Sequence, residues 1–126
     1  MAPLSFPFWL SPTQIRIIPV ADRYLPTSHE LCDKISQQCL RVDIDDREAT
    51  VGKKIRNGET EWIPFLLVVG EKEKNSGRLS VRSRDYKAQE DMTIEEFIEM
   101  ARQKQGNKPF RALTLSRYLT KRPSFR

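Results

Sequence analysis

The stretch IPFLLVVGEKEKNSGRLSVRSR, residues 63 to 84, holds the strongest fold signals of the chain. Residues 63–70 are a continuous apolar run of strand length, which is typical of a strand covered on both faces and predicts the centre of a sheet. Residues 71–77 predict a polar turn closed by glycine. In residues 78–84 apolar and polar side chains alternate, which predicts a hairpin strand with an arginine-bearing face.

Upstream of this stretch, strand and helix patterns alternate. Residues 13–20 alternate toward isoleucines and predict a strand. Thr27 and Glu30 have the spacing of a capping box, which predicts the start of a helix that runs to about residue 40. Residues 41–44 then predict a second, short strand.

Two further helix patterns complete the order of elements. Thr50 can cap a helix that is expected to end at Asn57 and Gly58. Thr93 opens another capping box, and the apolar residues behind it keep helical spacing as far as Gly106. The resulting order of strand, helix, strand, helix, strand, strand, helix predicts an α/β fold whose mixed sheet is parallel at first and ends in an antiparallel hairpin.

Length and charge narrow the class of protein. A chain of 126 residues fits one domain, and no apolar run approaches the roughly 20 residues of a membrane span. The first residues lack the basic start of a signal peptide, so we expect a cytoplasmic protein. The net charge is +5, and residues 100–126 hold eight Lys and Arg with no acid. That asymmetry favours a polyanionic partner, although charge alone does not separate this from a merely soluble basic tail.

The segment RVDIDDREATVGKKIR, residues 41–56, contains four acids and five basic residues, three of which follow the last acid. Asp43 and Asp45 would share one face of a strand, which allows an acid/base pair or, with Asp46, a magnesium site of a small hydrolase. The neighbouring bases would hold these carboxylates ionised, so helix capping or local ion pairing is the favoured interpretation. Two cysteines and one histidine do not supply a zinc cluster, and no phosphate-loop or nucleophile motif occurs. We therefore predict no catalytic residue and no metal in this chain.

A second set of residues has the types used to recognise single-stranded RNA. Arginine can pair with the guanine edge, a carboxylate can accept from base amino or imino groups, and aromatic rings stack on bases. Each of these residues taken alone is more often a solvated charge or a core aromatic. The set comprises Lys53, Lys54, Arg56, Trp62, Glu71 or Glu73, Arg78, Arg82 and Arg84.

Three segments together resemble the C-terminal anticodon-binding domain of the class IIa aminoacyl-tRNA synthetases, those for threonine, proline, histidine and glycine. WLSPTQIRIIPV (9–20) resembles the opening strand of that family, and DDREATVGKKIR (45–56) resembles its D-x-R-x-x-x-[VI]-G-x-K-I-R segment. Residues 63–84 resemble its strand pair. The GEKE and VRSR forms are most similar to the threonyl enzymes, and the last residues are similar to their archaeal forms.

The resemblance implies a mixed, about five-stranded sheet flanked by three helices, which recognises the anticodon loop of threonine tRNA. It implies base contacts at Glu73 and Arg82. Two further base contacts fall where bacterial threonyl enzymes have other residues: Glu48 replaces an asparagine, and Trp62 replaces an arginine. Contacts to the RNA backbone are expected at Lys54, Arg56 and Arg84.

The resemblance also divides the chain into a lead from a missing catalytic domain (1–12), the anticodon-binding domain (13–106) and a basic C-terminal arm packed on it (107–126). Class II ATP-binding motifs are absent, so this chain is not expected to aminoacylate by itself. ATP and zinc, if any, would belong to the missing domains. The implied partners are the anticodon stem-loop of threonine tRNA and that catalytic domain. Two alternatives stay open: a domain of a different class IIa synthetase, or one retained as a protein-interaction or dimerisation module.

Overall fold

The computed structural model describes Phe8 and residues 11–83, 89–106 and 116–122. Its strands are β1 (Ile15–Pro19), β2 (Val42–Ile44), β3 (Phe65–Val69), β4 (Arg78–Ser83) and β5 (Gln89–Thr93). They form one sheet in the order β2-β1-β3-β4-β5. β1 is parallel to β2 and β3, whereas β4 is antiparallel to both β3 and β5. The predicted mixed sheet with the 63–70 strand at its centre is confirmed.

Within the described residues four α-helices accompany the sheet: α1 (Leu25–Ser36), α2 (Val51–Thr60), α3 (Glu71–Ser76) and α4 (Ile94–Gln105). The α/β class is confirmed, with one helix more than the three expected. The additional helix, α3, replaces the predicted polar turn, because the Glu73 carboxylate accepts the Gly70 N–H at 2.8 Å and Gly77, at φ 72°, ends the helix. In the part of the chain that the structure describes, no helix is long and apolar enough to cross a membrane.

The helix ends differ from the sequence patterns at two places. α1 begins at Leu25, ahead of the predicted Thr27 cap, because Pro26 occupies its first turn, where a missing N–H costs no hydrogen bond. α2 continues through Gly58 to Thr60 instead of ending there. The predicted caps of α2 and α4 are confirmed, since Thr50 and Thr93 each accept an N–H of the first turn at 3.2 Å.

The two faces of the sheet are covered unequally. The larger core lies between the sheet and helices α1 and α4, and at its centre the Phe65 ring meets the rings of Phe8 and Phe97 edge-on. The smaller core lies on the other face beneath α2, where Ile18, Ile63 and Leu66 are buried. Helix α2 contacts β1. The smaller core beneath it contains a residue of β3 but no described residue of β4 or β5. Half of this face is therefore left without an apolar cover among the described residues.

A buried arginine, Arg16 of β1, lies under α2 and is only 1% exposed. Its Nε and Nη2 donate to Asp43 of β2 at 3.0 and 3.1 Å, and its Nη1 and Nη2 donate to Glu61 at 2.7 and 3.3 Å. Burial alone would lower the pKa of Arg16, but these two carboxylates raise it above its ordinary value. Asp43 thus belongs to an ion network that joins β1, β2 and the end of α2.

The other two aspartates of the 41–56 segment are also engaged. Arg47 donates from Nε and Nη2 to Asp45 at 2.9 and 2.8 Å. Thr120 donates its N–H and hydroxyl to Asp46 at 3.0 and 2.7 Å. Among the described residues no three or more His, Cys, Asp or Glu form a group that could hold a metal. These contacts favour the structural interpretation of the acids.

Residues 116–122 lie beside the outer edge of β2. A parallel bridge joins them to the last residue of that strand, and Arg117 pairs with Asp33 of α1 at 2.7 Å. Arg122 pairs with the buried Asp43 at 3.0 Å. An exposed strand edge is a template for unwanted pairing, so this segment protects one end of the sheet.

Replacing Gly58 by alanine is expected to destabilise the fold by about 1 kcal/mol, although alanine is the better helix former. A Cβ at position 58 would lie 2.5 Å from Cδ2 of the buried Leu66. The resulting overpacking costs about 1–3 kcal/mol, against about 1 kcal/mol gained in helix propensity. Urea unfolding measures the difference.

The matched control is Gly52→Ala in the same helix, where no atom lies within 4 Å of the added Cβ. This variant should gain about 0.5–1 kcal/mol. Equal stabilisation by both substitutions would contradict the close packing of Gly58 on Leu66.

The stability of the fold should fall on acidification, partly through Asp45. Burial raises the pKa of Asp45, but the hydrogen bonds and charge of Arg47 outweigh burial and lower it below its ordinary value. A carboxyl with a lowered folded pKa stabilises the protein above its unfolded pKa of about 4, and that contribution is lost as the pH falls through the folded value. Urea unfolding at about pH 6 and about pH 3 measures this loss.

Arg47→Gln removes the interactions that oppose burial, so the pKa of Asp45 should rise. The variant should be less stable at about pH 6 and should lose less stability than the wild type on going to about pH 3. Arg56→Gln, which removes an exposed charge of α2, is the control and should keep the wild-type pH dependence. The same pH dependence in Arg47→Gln would contradict the role of that ion pair.

Candidate nucleic-acid interface

The half of the sheet that α2 leaves uncovered carries polar side chains. Alternate residues of a strand share a face of the sheet. The register therefore shows which paired residues of β4 and β5 lie on the face away from the larger core. Ser80 lies opposite Asp91, and Arg82 lies opposite Gln89. We call these four residues, together with Glu73 of α3, the open face.

Glu73 is held on the open face by two hydrogen bonds. Its Oε1 accepts the Gly70 N–H at 2.8 Å, and its Oε2 accepts the Ser80 hydroxyl at 3.1 Å. The first bond caps α3, which explains why the third residue of this short helix points back toward the sheet. Each carboxylate oxygen keeps a lone pair for a further donor, and the side chain is half-buried.

Ser80 connects Glu73 to a second acid, Asp91. The Ser80 hydroxyl lies 3.4 Å from Oδ1 of Asp91, and Lys72 donates to the other oxygen at 3.1 Å. This bond and the charge of Lys72 lower the pKa of Asp91, so it stays ionised at neutral pH. One hydroxyl proton cannot serve two carboxylates at once. The open face therefore suits a ligand that brings amino or imino donors.

Arg82 presents a partly exposed guanidinium group on the open face. Its side chain is 30% exposed, and its buried Nε has no hydrogen-bond partner among the described residues. Oε1 of Glu59, in the last turn of α2, lies 3.9 Å from this Nε, which is beyond hydrogen-bonding distance. Buried donors without acceptors are uncommon in native proteins, and the exposed part of this side chain leaves room for a ligand to approach the guanidinium group.

Trp62 lies in the turn that follows α2, three residues after Glu59. It follows α2, is 39% exposed and has a φ of 59°, and its N–H donates to the Glu59 carbonyl at 3.1 Å. This backbone region costs about 1–2 kcal/mol for an ordinary residue. Such strain concentrates at functional sites, so Trp62 is a candidate stacking surface.

Two other residues predicted to contact RNA lie elsewhere, and a third is not among the described residues. Glu48 is exposed in the loop after β2, three strands from β4, which corresponds to roughly 14 Å. Arg56 is exposed on α2. Arg84 lies outside the described residues.

Lys54 requires a correction, because the structure buries the side chain that was expected at the surface. It is 6% exposed, and its Nζ donates to the Pro19 carbonyl at 3.5 Å. Positions 51, 54, 55 and 58 form the stripe of α2 that faces the sheet, and Lys54 belongs to this stripe. The helical spacing could have shown this from the sequence, had position 54 been counted with its apolar neighbours.

Sequence reasoning missed Asp91 and Glu59. Asp91 lies in β5, whose sequence QEDMT has no apolar alternation, so that strand was not predicted from the pattern. Glu59 was placed beyond the expected end of α2, and its proximity to Arg82 follows from the packing of that helix. The residues just before the helix-capping Thr93 are mostly polar, and this polar segment was the signal in the sequence that could have indicated β5.

Comparison with known proteins agrees with this architecture. Residues 14–104 match the family model described as "Anticodon binding domain". The chain is 44% identical over 119 residues to a threonine–tRNA ligase of Nitrosopumilus maritimus, which covers 94% of this chain and 19% of that protein. It is 45% identical over 121 residues to the ligase of Pyrococcus furiosus, covering 96% and 19%. The chain thus spans about a fifth of the length of these relatives.

Solved structures give the same result. The RNA binding domain of threonyl-tRNA synthetase from Cryptosporidium parvum superposes with a TM-score of 0.75 at 26% identity, over 86% of this chain and 26% of that one. Prolyl-tRNA synthetase from the same organism has a TM-score of 0.72 at 24% identity, over 81% and 23%, and supports the fold alone. Together with the match over residues 14–104, these similarities show that the chain belongs to the anticodon binding domain family.

Proposed function

We propose that this chain recognises the anticodon loop of threonine tRNA for a threonine–tRNA ligase. The observation that carries the proposal is the open face, where Glu73 and Arg82 lie on one polar side of the sheet. The exposed Trp62 follows the helix whose last turn approaches Arg82. The relatives that carry the ligase name, at 44% and 45% identity, support the choice of threonine tRNA.

The residues of the open face have complementary tasks in this proposal. Arg82 donates to the acceptor edge of a guanine, and such a bidentate contact is worth about 1–3 kcal/mol of discrimination. Glu73 accepts from a base amino or imino group, and Trp62 stacks on a base. Glu48, about three strands away, would contact a different nucleotide.

Phosphate contacts are assigned to basic side chains outside the open face. Arg56 keeps the role assigned to it from the sequence, and Arg84 keeps it as a proposal. Lys53, which is exposed on α2, takes the place of the buried Lys54. Because each neutralised phosphate releases counterions, the affinity should fall as the salt concentration rises.

We propose that aminoacylation needs a separate catalytic domain and that this chain is the partner of that domain. The relatives are about five times as long as the part that matches, so ATP and any zinc would be bound outside it. We place this function in the cytoplasm, where translation proceeds. A dimerisation module is disfavoured, because the centre of such an interface is usually apolar, whereas the open face is polar and partly exposed.

Arg82→Ala is expected to remove the preference for the anticodon guanine. Wild type should bind the threonine-tRNA anticodon stem-loop more tightly than a stem-loop with that guanine replaced by adenine, and the variant should lose about 1–3 kcal/mol of this difference. Fluorescence anisotropy at one fixed salt concentration measures both affinities.

The control is Arg102→Ala, which removes an exposed arginine from α4 on the opposite side of the sheet. It should keep the guanine preference. Equal binding of the wild type to both stem-loops would overturn the proposed function.

Trp62→Ala is expected to lower the binding affinity for all anticodon stem-loops by a similar factor, because an aromatic ring can stack on any base. The loss should be about 1–3 kcal/mol, and Trp62→Phe should retain most of the affinity. The same anisotropy titrations distinguish this uniform loss from the selective loss in Arg82→Ala. Unchanged affinity in Trp62→Ala would exclude the stacking role.

A further inference from the structure

We propose that Glu59 is a specificity-determining residue of the open face: its carboxylate disfavours a phosphate at Arg82 and leaves that arginine for the uncharged edge of a nucleobase. The inference deepens the proposed function and rests on it. Glu59 lies in the last turn of α2, whereas Arg82 lies on β4.

The position of Glu59 follows from the packing of α2. Gly58 approaches Leu66 so closely that an added Cβ would overlap its side chain, and Leu66 is the register partner of Arg82 on β4. The next residue of the helix, Glu59, is thereby placed beside the guanidinium of Arg82. The two side chains are 42% and 30% exposed, so a ligand can approach both.

The distance between the two side chains allows attraction between their charges but no hydrogen bond. Oε1 of Glu59 is 3.9 Å from Nε of Arg82, close enough for attraction between the charges but too long for a hydrogen bond. No described residue accepts a hydrogen bond from that Nε. Glu59 therefore adds negative charge at the site without using the arginine's donors.

The surrounding charges strengthen this effect. Among the described residues of this region, the acids Glu59, Glu73 and Asp91 face the bases Lys72, Arg78 and Arg82. The region is thus balanced in charge, unlike the basic surfaces that bind nucleic-acid backbones. A phosphate at Arg82 would be repelled by Glu59, whereas O6 and N7 of guanine accept hydrogen bonds without carrying a net charge.

Glu59→Gln tests the proposal, since it removes the charge and keeps the shape. We expect it to bind both the threonine stem-loop and the guanine-replaced stem-loop more tightly, with the larger gain on the replaced one. The preference should fall by about 3–10-fold, and the slope of log K against log salt should steepen by about 0.7, the value for one added phosphate contact on a single strand.

Glu99→Gln is the matched control, because it makes the same change in net charge at an exposed position of α4. It should leave both the preference and the salt slope at their wild-type values. Circular dichroism and the urea midpoint check that each variant is folded, and Glu59→Ala provides a second neutral variant should glutamine disturb α2.

The outcomes separate this inference from the proposed function. A wild-type preference that persists in Glu59→Gln with an unchanged salt slope would overturn the role of Glu59 alone. A variant that loses affinity only for the threonine stem-loop would also overturn it, since Glu59 would then contact the base itself. A wild type without any preference would overturn the proposed function and this inference with it.

Discussion

The ion network around Arg16 determines where α2 lies on the sheet, and the geometry of the open face depends on it. Removing a guanidinium from water costs on the order of several kcal/mol unless its donors are matched. Here they are matched by Asp43 and by Glu61, which directly follows α2. The end of the helix is thereby fixed over β1. Because α2 lies there, it covers β1 and β3 and leaves the polar side of β4 and β5 accessible.

The last turn of α2 converts this placement into a site. Gly58 lets the helix approach Leu66 without a side chain between them, and the same turn carries Glu59. The chain then reverses through Trp62, whose positive φ allows β3 to begin three residues later. A side chain at position 58 would overlap Leu66, so the leucine or this turn would have to shift. One helix end therefore contributes to both the smaller core and the proposed recognition surface.

The sequence predicted the elements whose stability comes from apolar patterning or a strong cap. Residues 63–70 gave the central strand, and Thr50 and Thr93 marked helix starts that the structure confirms. β5 and α3 were missed because neither has an apolar pattern of its own: β5 exists through its pairing with β4, and α3 through the Glu73 cap. Contacts such as Ser80 with Asp91 arise from register and could not be obtained from spacing along the chain.

The distribution of charge along the sequence likewise did not show which basic side chains are engaged by the fold. The concentration of bases after residue 99 suggested a surface for a polyanion, yet Arg117 and Arg122 are held by Asp33 and Asp43, whereas Lys121 remains exposed. Part of the basic excess thus secures the edge of the sheet. Affinity for an RNA backbone must then depend on the exposed Lys and Arg side chains that remain. The open face and its charged neighbours, which together carry equal numbers of acids and basic side chains, are suited to discriminating between nucleobases. A surface of this kind separates specificity from electrostatic attraction, because a higher overall positive charge would raise the binding affinity for all RNAs equally.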